Sequence, residues 1–176
     1  MDPWVHIVGG GLSGLSLAAS LAEFDTLPGR VLISEPSPET LATKTFSFWF
    51  TEDERNFLKP EHVSGCWSVS QGSDATVHRG HQFTYGTRSG RAVLDDALGA
   101  IHNHAQIELV HEKVHTKPKA THVFDSRPCD IETYQVTQSF VGVEVLFEHA
   151  HGISEVRLME RLVAIDSGVR FVYVLP

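Results

Sequence analysis

Cysteine and basic residues are both scarce in this chain. Cys66 and Cys129 are the only cysteines among 176 residues, too few for a disulfide framework, so a reducing compartment is the simpler prediction. Lysine and arginine number 14 against 22 aspartates and glutamates, which gives a net charge of −8. That balance excludes a general nucleic-acid-binding protein and leaves no polybasic patch for an anionic membrane.

A sustained apolar run is also missing. Residues 5–22 carry no formal charge, but they contain four glycines and three serines, which suits a turn better than a membrane span. The first basic residue is Arg30, whereas a secretory signal begins with positive charge. The length and the 41% hydrophobic fraction predict a soluble globular chain of about one domain.

The amino-terminal 35 residues predict a βαβ unit. Trp4–Val8 is a short apolar run, and Leu12–Phe24 has apolar residues at helical spacing. Arg30–Ser34 is a second apolar run after a Pro-Gly breaker. Two short strands joined by a helix require parallel pairing with a right-handed crossover, so the predicted fold class is α/β with a Rossmann-like domain.

A glycine motif lies between the first strand and the helix. Residues 9–14 (GGGLSG) fit G-x-G-x-x-G, in which the first glycine permits a tight turn, the second a close approach to pyrophosphate, and the third close helix packing. The helix N-terminus adds free N–H groups for a phosphate. The candidate dinucleotide-binding residues of this loop are Gly9, Gly10, Gly11, Ser13 and Gly14.

An acidic residue follows the second strand where a ribose hydroxyl would be bound. Glu35 lies 21 residues beyond Gly14 and favours an adenosine ribose with a free 2′-hydroxyl, so FAD or NAD is predicted over NADP at this site. The glycine loop alone does not separate FAD from NAD. The alternative, a merely structural glycine turn, would lack this acid in this place.

Further along the chain the pattern alternates between aromatic clusters and regular elements. Residues 89–104 predict a helix capped by Ser89. Strands are predicted at Ile107–Val110, Thr121–Phe124, Gln138–Phe147 and Val169–Leu175. An aromatic cluster is expected to lie in the hydrophobic core, or else to line a pocket for a long apolar molecule or a cation; its members are Phe46, Phe48, Trp49 and Phe50.

Asp125 and Arg127 form a second candidate binding pair. They follow a predicted strand in the segment VFDSRP, at the sheet edge where open α/β sheets bind ligands. The alternative is an ordinary strand-end turn with a surface ion pair. The close histidine pairs are predicted to be solvated or capping residues, because no cysteine or H-E-x-x-H motif supports a metal site.

Taken in order, several segments resemble the bacterial lycopene β-cyclase family. These segments are VHIVGGGLSGLSLAASLA, RVLISEPSP, TFSFWF, VFDSRP, QSFVGVEV and RFVYVLP. The resemblance implies a p-hydroxybenzoate-hydroxylase-like FAD fold, with Glu35 on the ribose and the DSRP segment near the flavin. It implies non-redox cyclisation of lycopene or a related linear carotene to β-ionone rings, with reduced FAD and with NADPH as electron source.

Two features depart from that family. The family often has a glycine pair and Asn-His just before the segment that here is TFSFWF, whereas in this chain Lys44 precedes Thr45. Phe46 stands where the family has tryptophan. The acid-base carboxylate of the family lies in an acidic motif beyond the Leu-Pro that here is Leu175 and Pro176, so no catalytic residue is assigned, and Glu160 and Asp166 lie before the matching strand. The chain is therefore expected to be an N-terminal fragment with exposed apolar surface and poor stability on its own.

The resemblance also sets the expected domains, location and alternatives. A discontinuous FAD domain is predicted at residues 1–45 and 80–130, with part of a β-rich substrate domain at residues 46–79 and 131–176. A cytoplasmic enzyme, peripheral on the cytoplasmic membrane face, is expected because the substrate is confined to the bilayer. The alternatives are another FAD-dependent oxidoreductase (hydroxylase or desaturase) and a non-catalytic dinucleotide-binding remnant.

Overall fold

The computed structural model describes residues 1–127, 138–143, 145, 147–149, 152–153 and 155–175. In chain order, its strands and α-helices are β1 Val5–Val8, α1 Leu12–Leu21, β2 Val31–Ser34, β3 Thr45–Phe50, α2 Arg55–Leu58, β4 His62–Ser64, β5 Cys66–Gln71, β6 Asp74–Arg79, β7 Thr84–Ser89, α3 Gly90–His102, β8 Ile107–Val110, β9 His122–Asp125, β10 Val156–Ile165 and β11 Gly168–Val174. Short 3₁₀ helices occupy Pro38–Thr43 and Glu52–Glu54.

The chain forms two compact units. The first comprises Met1–Thr45 and Ser89–Gln138, and the second comprises Phe46–Arg88 and Ser139–Pro176. The sequence predicts a return to the first unit at residue 80, whereas the contacts of the structure place this return at Ser89. Residues 84–88 of β7 belong to the second unit, since this strand pairs antiparallel with β4.

The first unit is built on a four-stranded parallel sheet. Its order is β8-β2-β1-β9, and all three pairings are parallel. The predicted βαβ unit is confirmed, and β8 matches its predicted range. Apolar side chains make β1 suitable for the sheet centre, and Val5, Ile7 and Val8 are buried.

Two helices complete the first unit. Helices α1 and α3 pack against each other, and α1 begins at Leu12, directly after the glycine loop. Ser89 caps α3 as predicted, because its Oγ accepts the Ala92 N–H at 3.2 Å. The apolar face of α3 then enters the core through Val93, Leu94, Ala97 and Ile101.

The described part of the second unit contains two small sheets. One has the order β11-β10-β5-β6, with β10 parallel to β5, and the other has the order β3-β7-β4. The hairpin of β10 and β11 exposes apolar side chains, among them Val163, Ile165, Val169 and Val172. The strand predicted at Gln138–Phe147 is not found, because the described residues of that range, 138–143, 145 and 147, belong to no strand.

The aromatic cluster of β3 lies partly in the core and partly at the surface. Phe50 is fully buried, whereas the Trp49 ring is 42% exposed. Trp49 lies edge-on to Trp67 at 4.5 Å and to Tyr85 at 4.9 Å between ring centroids. Trp49, Trp67 and Phe83 line an apolar groove of about 410 Å³ within the second unit.

Candidate dinucleotide-binding site

Strand order brings the predicted site residues to one edge of the parallel sheet. The chain passes from β1 to β2 and β8 on one side of β1 and then returns to β9 on its other side. Val8, Ser34 and Asp125 are register partners at the carboxyl ends of β1, β2 and β9. Open α/β sheets bind ligands outside the carboxyl ends of strands at such a switch point, which here lies between β1 and β9.

Gly9 makes the turn out of β1. Its φ of +102° is in the region that favours glycine, and its N–H donates to the Ser34 carbonyl at 2.9 Å. A Cβ at Gly9 would collide with the Ser126 hydroxyl, and one at Gly14 would collide with the Gly9 carbonyl. Both positions therefore need glycine, as the motif predicts.

Gly11 lies beside open space. It precedes the first turn of α1, and no atom lies within 4 Å of the position that a Cβ would take. The first turn has no acidic side chain, and no side chain caps it. Ser13, also predicted for the site, is exposed in that first turn. Unneutralised N–H groups with open space before them suit an anionic pyrophosphate.

Glu35 is held against the glycine loop by two backbone donors. Its Oε2 accepts the Gly10 N–H at 2.9 Å, and its Oε1 accepts the Ser37 N–H at 2.9 Å. Each carboxylate oxygen has two lone pairs, so each keeps one for a ligand hydroxyl. The carboxylate is thus oriented in advance for a ribose at the end of β2.

Asp125 and Arg127 bind each other. Arg127 Nε donates to Asp125 Oδ1 at 2.8 Å and Nη2 donates to Oδ2 at 2.6 Å, while Nη1 donates to the Val114 carbonyl at 2.7 Å. This pairing lowers the pKa of Asp125 to about 2, mainly through the side-chain hydrogen bonds from Arg127. The surface ion pair that the sequence left open as an alternative is therefore present, at the ligand-binding edge.

Ser126 joins this strand end to the glycine loop. Both its N–H and its Oγ donate to the Val8 carbonyl at 3.0 Å. Sequence analysis did not single out Ser126, since a serine after a strand is common. Its contact with Gly9 explains why the first glycine of the motif has no room for a side chain.

A buried histidine behind this edge was also missed. His6 Nε2 lies 2.8 Å from Ser34 Oγ, and Ser34 Oγ donates to Glu112 Oε1 at 2.8 Å. Burial lowers the pKa of His6, partly opposed by the charge of Glu112. The signal that could have found it is a histidine within an apolar central strand, a position where an unpaired polar group is costly.

Metal binding has no support in the described part of the chain. No group of three or more His, Cys, Asp or Glu side chains there could hold a metal ion. Cys66 is half-buried and free, while Cys129 lies outside the described residues. The residues at the sheet edge fit a dinucleotide, since they combine an open glycine cradle with an oriented carboxylate.

A family model matches this chain, and solved structures are similar to part of it. The family model "Lycopene cyclase protein" matches residues 5–176. No curated protein matches. PqsL, described as a probable FAD-dependent monooxygenase from Pseudomonas aeruginosa, is similar over 62% of this chain and 33% of that chain, with 13% identity and a TM-score of 0.47. The tetrameric form of 2-methyl-3-hydroxypyridine-5-carboxylic acid oxygenase is similar over 64% and 32%, with 13% identity and a TM-score of 0.45.

The chain spans about a third of the length of these two solved structures. The family match, in contrast, extends over this chain from the first residue of β1 to Pro176. The chain belongs to the lycopene cyclase protein family.

Proposed function

We propose that this chain binds FAD and serves a flavoenzyme that cyclises the ends of lycopene or a related linear carotene. The observation that carries dinucleotide binding is the pairing of an open glycine cradle with a carboxylate held by Gly10 and Ser37, and FAD is proposed over NAD on the family match. The family match supports the substrate class.

Residues at the sheet edge would hold the cofactor in two places. The Gly11 backbone and the first turn of α1, including Ser13, offer N–H groups to a pyrophosphate. The N–H groups of Gly9 and Gly10 are already donated to Ser34 and Glu35, so these two glycines shape the loop that holds the phosphate. The free lone pairs of Glu35 accept hydroxyls of an adenosine ribose, and its negative charge repels a 2′-phosphate. Asp125 and Arg127 border the same crevice, where the ion pair keeps both side chains in place.

The proposed reaction moves protons and forms one carbon–carbon bond without net oxidation. A carboxylic acid protonates the terminal double bond, the internal double bond attacks the resulting tertiary cation, and a proton leaves to complete the β-ionone ring. Reduced FAD, with NADPH as the electron source, would supply negative charge that stabilises the cation. The described residues of this chain contribute cofactor binding and orientation, and the acid is not assigned to any of them.

A substitution at Gly11 tests cofactor binding without disturbing the fold. Gly11 has a φ of −73° and open space around it, so Gly11→Val should fold normally while its side chain occupies the cradle. Gly65→Val is the matched control, because Gly65 also has open space and lies in the second unit. We expect FAD to bind the parent chain and Gly65→Val, measured by quenching of flavin fluorescence, and to bind Gly11→Val at least tenfold more weakly.

Two results of this binding measurement would contradict the proposal. Equal FAD affinity in Gly11→Val and the parent chain would place the flavin elsewhere. If the parent chain bound no FAD, the proposal that FAD is its cofactor would be wrong.

Ring closure is tested with the full-length protein. Incubation with lycopene and NADPH without oxygen should yield a cyclic carotene. An oxygen requirement would favour a hydroxylase, a dehydrogenated product would favour a desaturase, and bound FAD without turnover would favour a non-catalytic dinucleotide-binding protein.

The substrate sets the expected place of action. A long hydrocarbon resides in the bilayer, so we propose a peripheral site on the cytoplasmic membrane face. No helix in the described ranges is long and apolar enough to cross a membrane. Flotation of the full-length protein with lycopene-loaded vesicles checks this, and recovery only in the unbound fraction would contradict it.

A further inference from the structure

Three polar side chains of the first unit form a hydrogen-bonded series behind the proposed cofactor site. His6 comes from the middle of β1, Ser34 from the end of β2, and Glu112 from the segment after β8. His6 is 6% exposed and Ser34 is 2% exposed. Two strands of the sheet and the segment that follows β8 are thus joined by two side-chain hydrogen bonds of 2.8 Å.

The direction of these hydrogen bonds follows from the groups involved. The Glu112 carboxylate only accepts, so the Ser34 hydroxyl proton is directed to Glu112. Ser34 Oγ must then accept from His6, which requires a hydrogen on Nε2. The donor sequence therefore runs from His6 through Ser34 to Glu112.

Ser34 is also connected to the glycine loop through its own backbone. Its carbonyl accepts the Gly9 N–H at 2.9 Å, and the next residue is Glu35. The Glu35 N–H in turn donates to the Val110 carbonyl at 3.1 Å. Any rotation of the β2 end would therefore move the turn at Gly9 and the Glu35 carboxylate together.

We propose that His6 and Ser34 are positioning residues that hold Glu35 and the Gly9 turn in register for the adenosine ribose. An apolar pair would fill this part of the sheet without the cost of burying polar groups, but it would not fix the rotation of the β2 end. The inference rests on the proposed binding of FAD. It adds that selectivity for a free 2′-hydroxyl depends on side chains that do not touch the ligand.

Ser34→Ala tests the proposal. Removing the hydroxyl leaves the His6 Nε2–H and Glu112 without their shared partner, so we expect FAD affinity to fall about tenfold. We also expect the preference for ADP-ribose over its 2′-phosphorylated form, measured by competition against FAD, to shrink severalfold. Ser64→Ala is the matched control, since Ser64 is buried, bonded through Oγ to the Cys66 carbonyl, and located in the second unit.

A second variant covers the case in which Ser34→Ala fails to fold. Glu112 is exposed, so Glu112→Ala should leave the fold intact while it removes the carboxylate that accepts the Ser34 hydroxyl proton. We expect it to reduce both the FAD affinity and the 2′-hydroxyl preference in the same direction as Ser34→Ala. Glu112→Gln retains an acceptor oxygen and should restore most of both.

The competition ratio separates positioning from mere stabilisation. A loss of thermal stability with unchanged FAD affinity and unchanged ratio, in either variant, would overturn the inference and leave the proposed function standing. If the parent chain binds no FAD, the proposed function and this inference fail together.

Discussion

The backbone N–H of Gly10 donates to Glu35 Oε2 at 2.9 Å, and the two residues are packed so closely that Gly10 has no room for a side chain. A Cβ at Gly10 would lie 2.6 Å from Glu35 Cβ and 2.8 Å from Glu35 Cγ. The dinucleotide motif leaves this second position open to any residue. In this chain the Cβ and Cγ methylene groups of Glu35 leave room only for glycine at this position.

Gly10→Ala should therefore displace Glu35. Gly10 does not have positive φ, so the cost is steric, and we expect about 1–3 kcal/mol of lost stability together with weaker FAD binding. Urea denaturation and flavin fluorescence measure the two effects. In the double variant Gly10→Ala with Glu35→Gly the clash is absent, so stability should largely return while FAD binding stays weak; additive losses would contradict the steric account.

Glu35→Gln should weaken FAD binding by about tenfold, because an amide forms weaker hydrogen bonds than a carboxylate with the ribose hydroxyls and the backbone donors. The change should also reduce discrimination against a 2′-phosphate, since the repelling charge is gone. Glu39→Gln, an exposed change in the following 3₁₀ helix, is the control. Competition titration measures both quantities, and identical results for the two variants would argue against a ribose role for Glu35.

The Asp125–Arg127 pair predicts a pH dependence in the acid range. The folded-state pKa of Asp125 is about 2, below the ordinary value of 3.8, so the pair stabilises the fold above pH 3.8 and this contribution is lost as pH falls toward 2. Between pH 4 and 2 the parent chain should lose more stability than Asp125→Asn. Both side chains are 37% exposed, so solvent keeps the difference small. Parallel acid-unfolding curves would disprove the contribution.

His6 predicts a second, milder dependence near neutral pH. Its pKa in the folded chain is lowered from 6.5, chiefly by burial, so below pH 6.5 the unfolded chain takes up a proton more readily than the folded one. Stability should decline as pH falls below 6.5, and His6→Gln should lack this slope. His102→Gln, at an exposed position, should retain it. Urea denaturation at pH 5.5 and 7.5 makes the comparison.

Local patterns predicted much of the first unit. Apolar runs of four residues bounded by turn formers predicted β1, β2, β8 and β9 to within two residues, and the Ser89 cap located the start of α3. These elements are short and strongly patterned, so local chemistry decides them. The sheets of the second unit combine local hairpins with pairings between distant segments, such as β10 with β5 and β4 with β7, which spacing along the chain does not reveal. The same limit applies to residues 138–143, 145 and 147, which belong to no strand, because alternation predicts an extended segment but does not identify the strand with which it would pair.

The same distinction between local patterns and contacts across strands applies to the residues of the candidate site. The glycines and Glu35 could be found because their spacing along the chain reflects a local βαβ geometry. Ser126 could not, because its role arises from a contact with Val8 on a neighbouring strand. A histidine within the apolar β1 indicates a buried polar group, but the sequence does not show that its partner is Ser34. Such a contact becomes predictable only when strand order and register are known.

The hydrogen bond from the Gly90 N–H to the Lys44 carbonyl, at 2.7 Å, closes the point where the first unit is interrupted by residues 46–88. A Cβ at Gly90 would collide with the Leu41 carbonyl, so the two ends of the interruption meet tightly. The entropy of closing a loop grows only with the logarithm of its length. Changes in the length or identity of residues 46–88 should therefore alter the stability of the first unit only slightly, as long as the contact between Lys44 and Gly90 is kept.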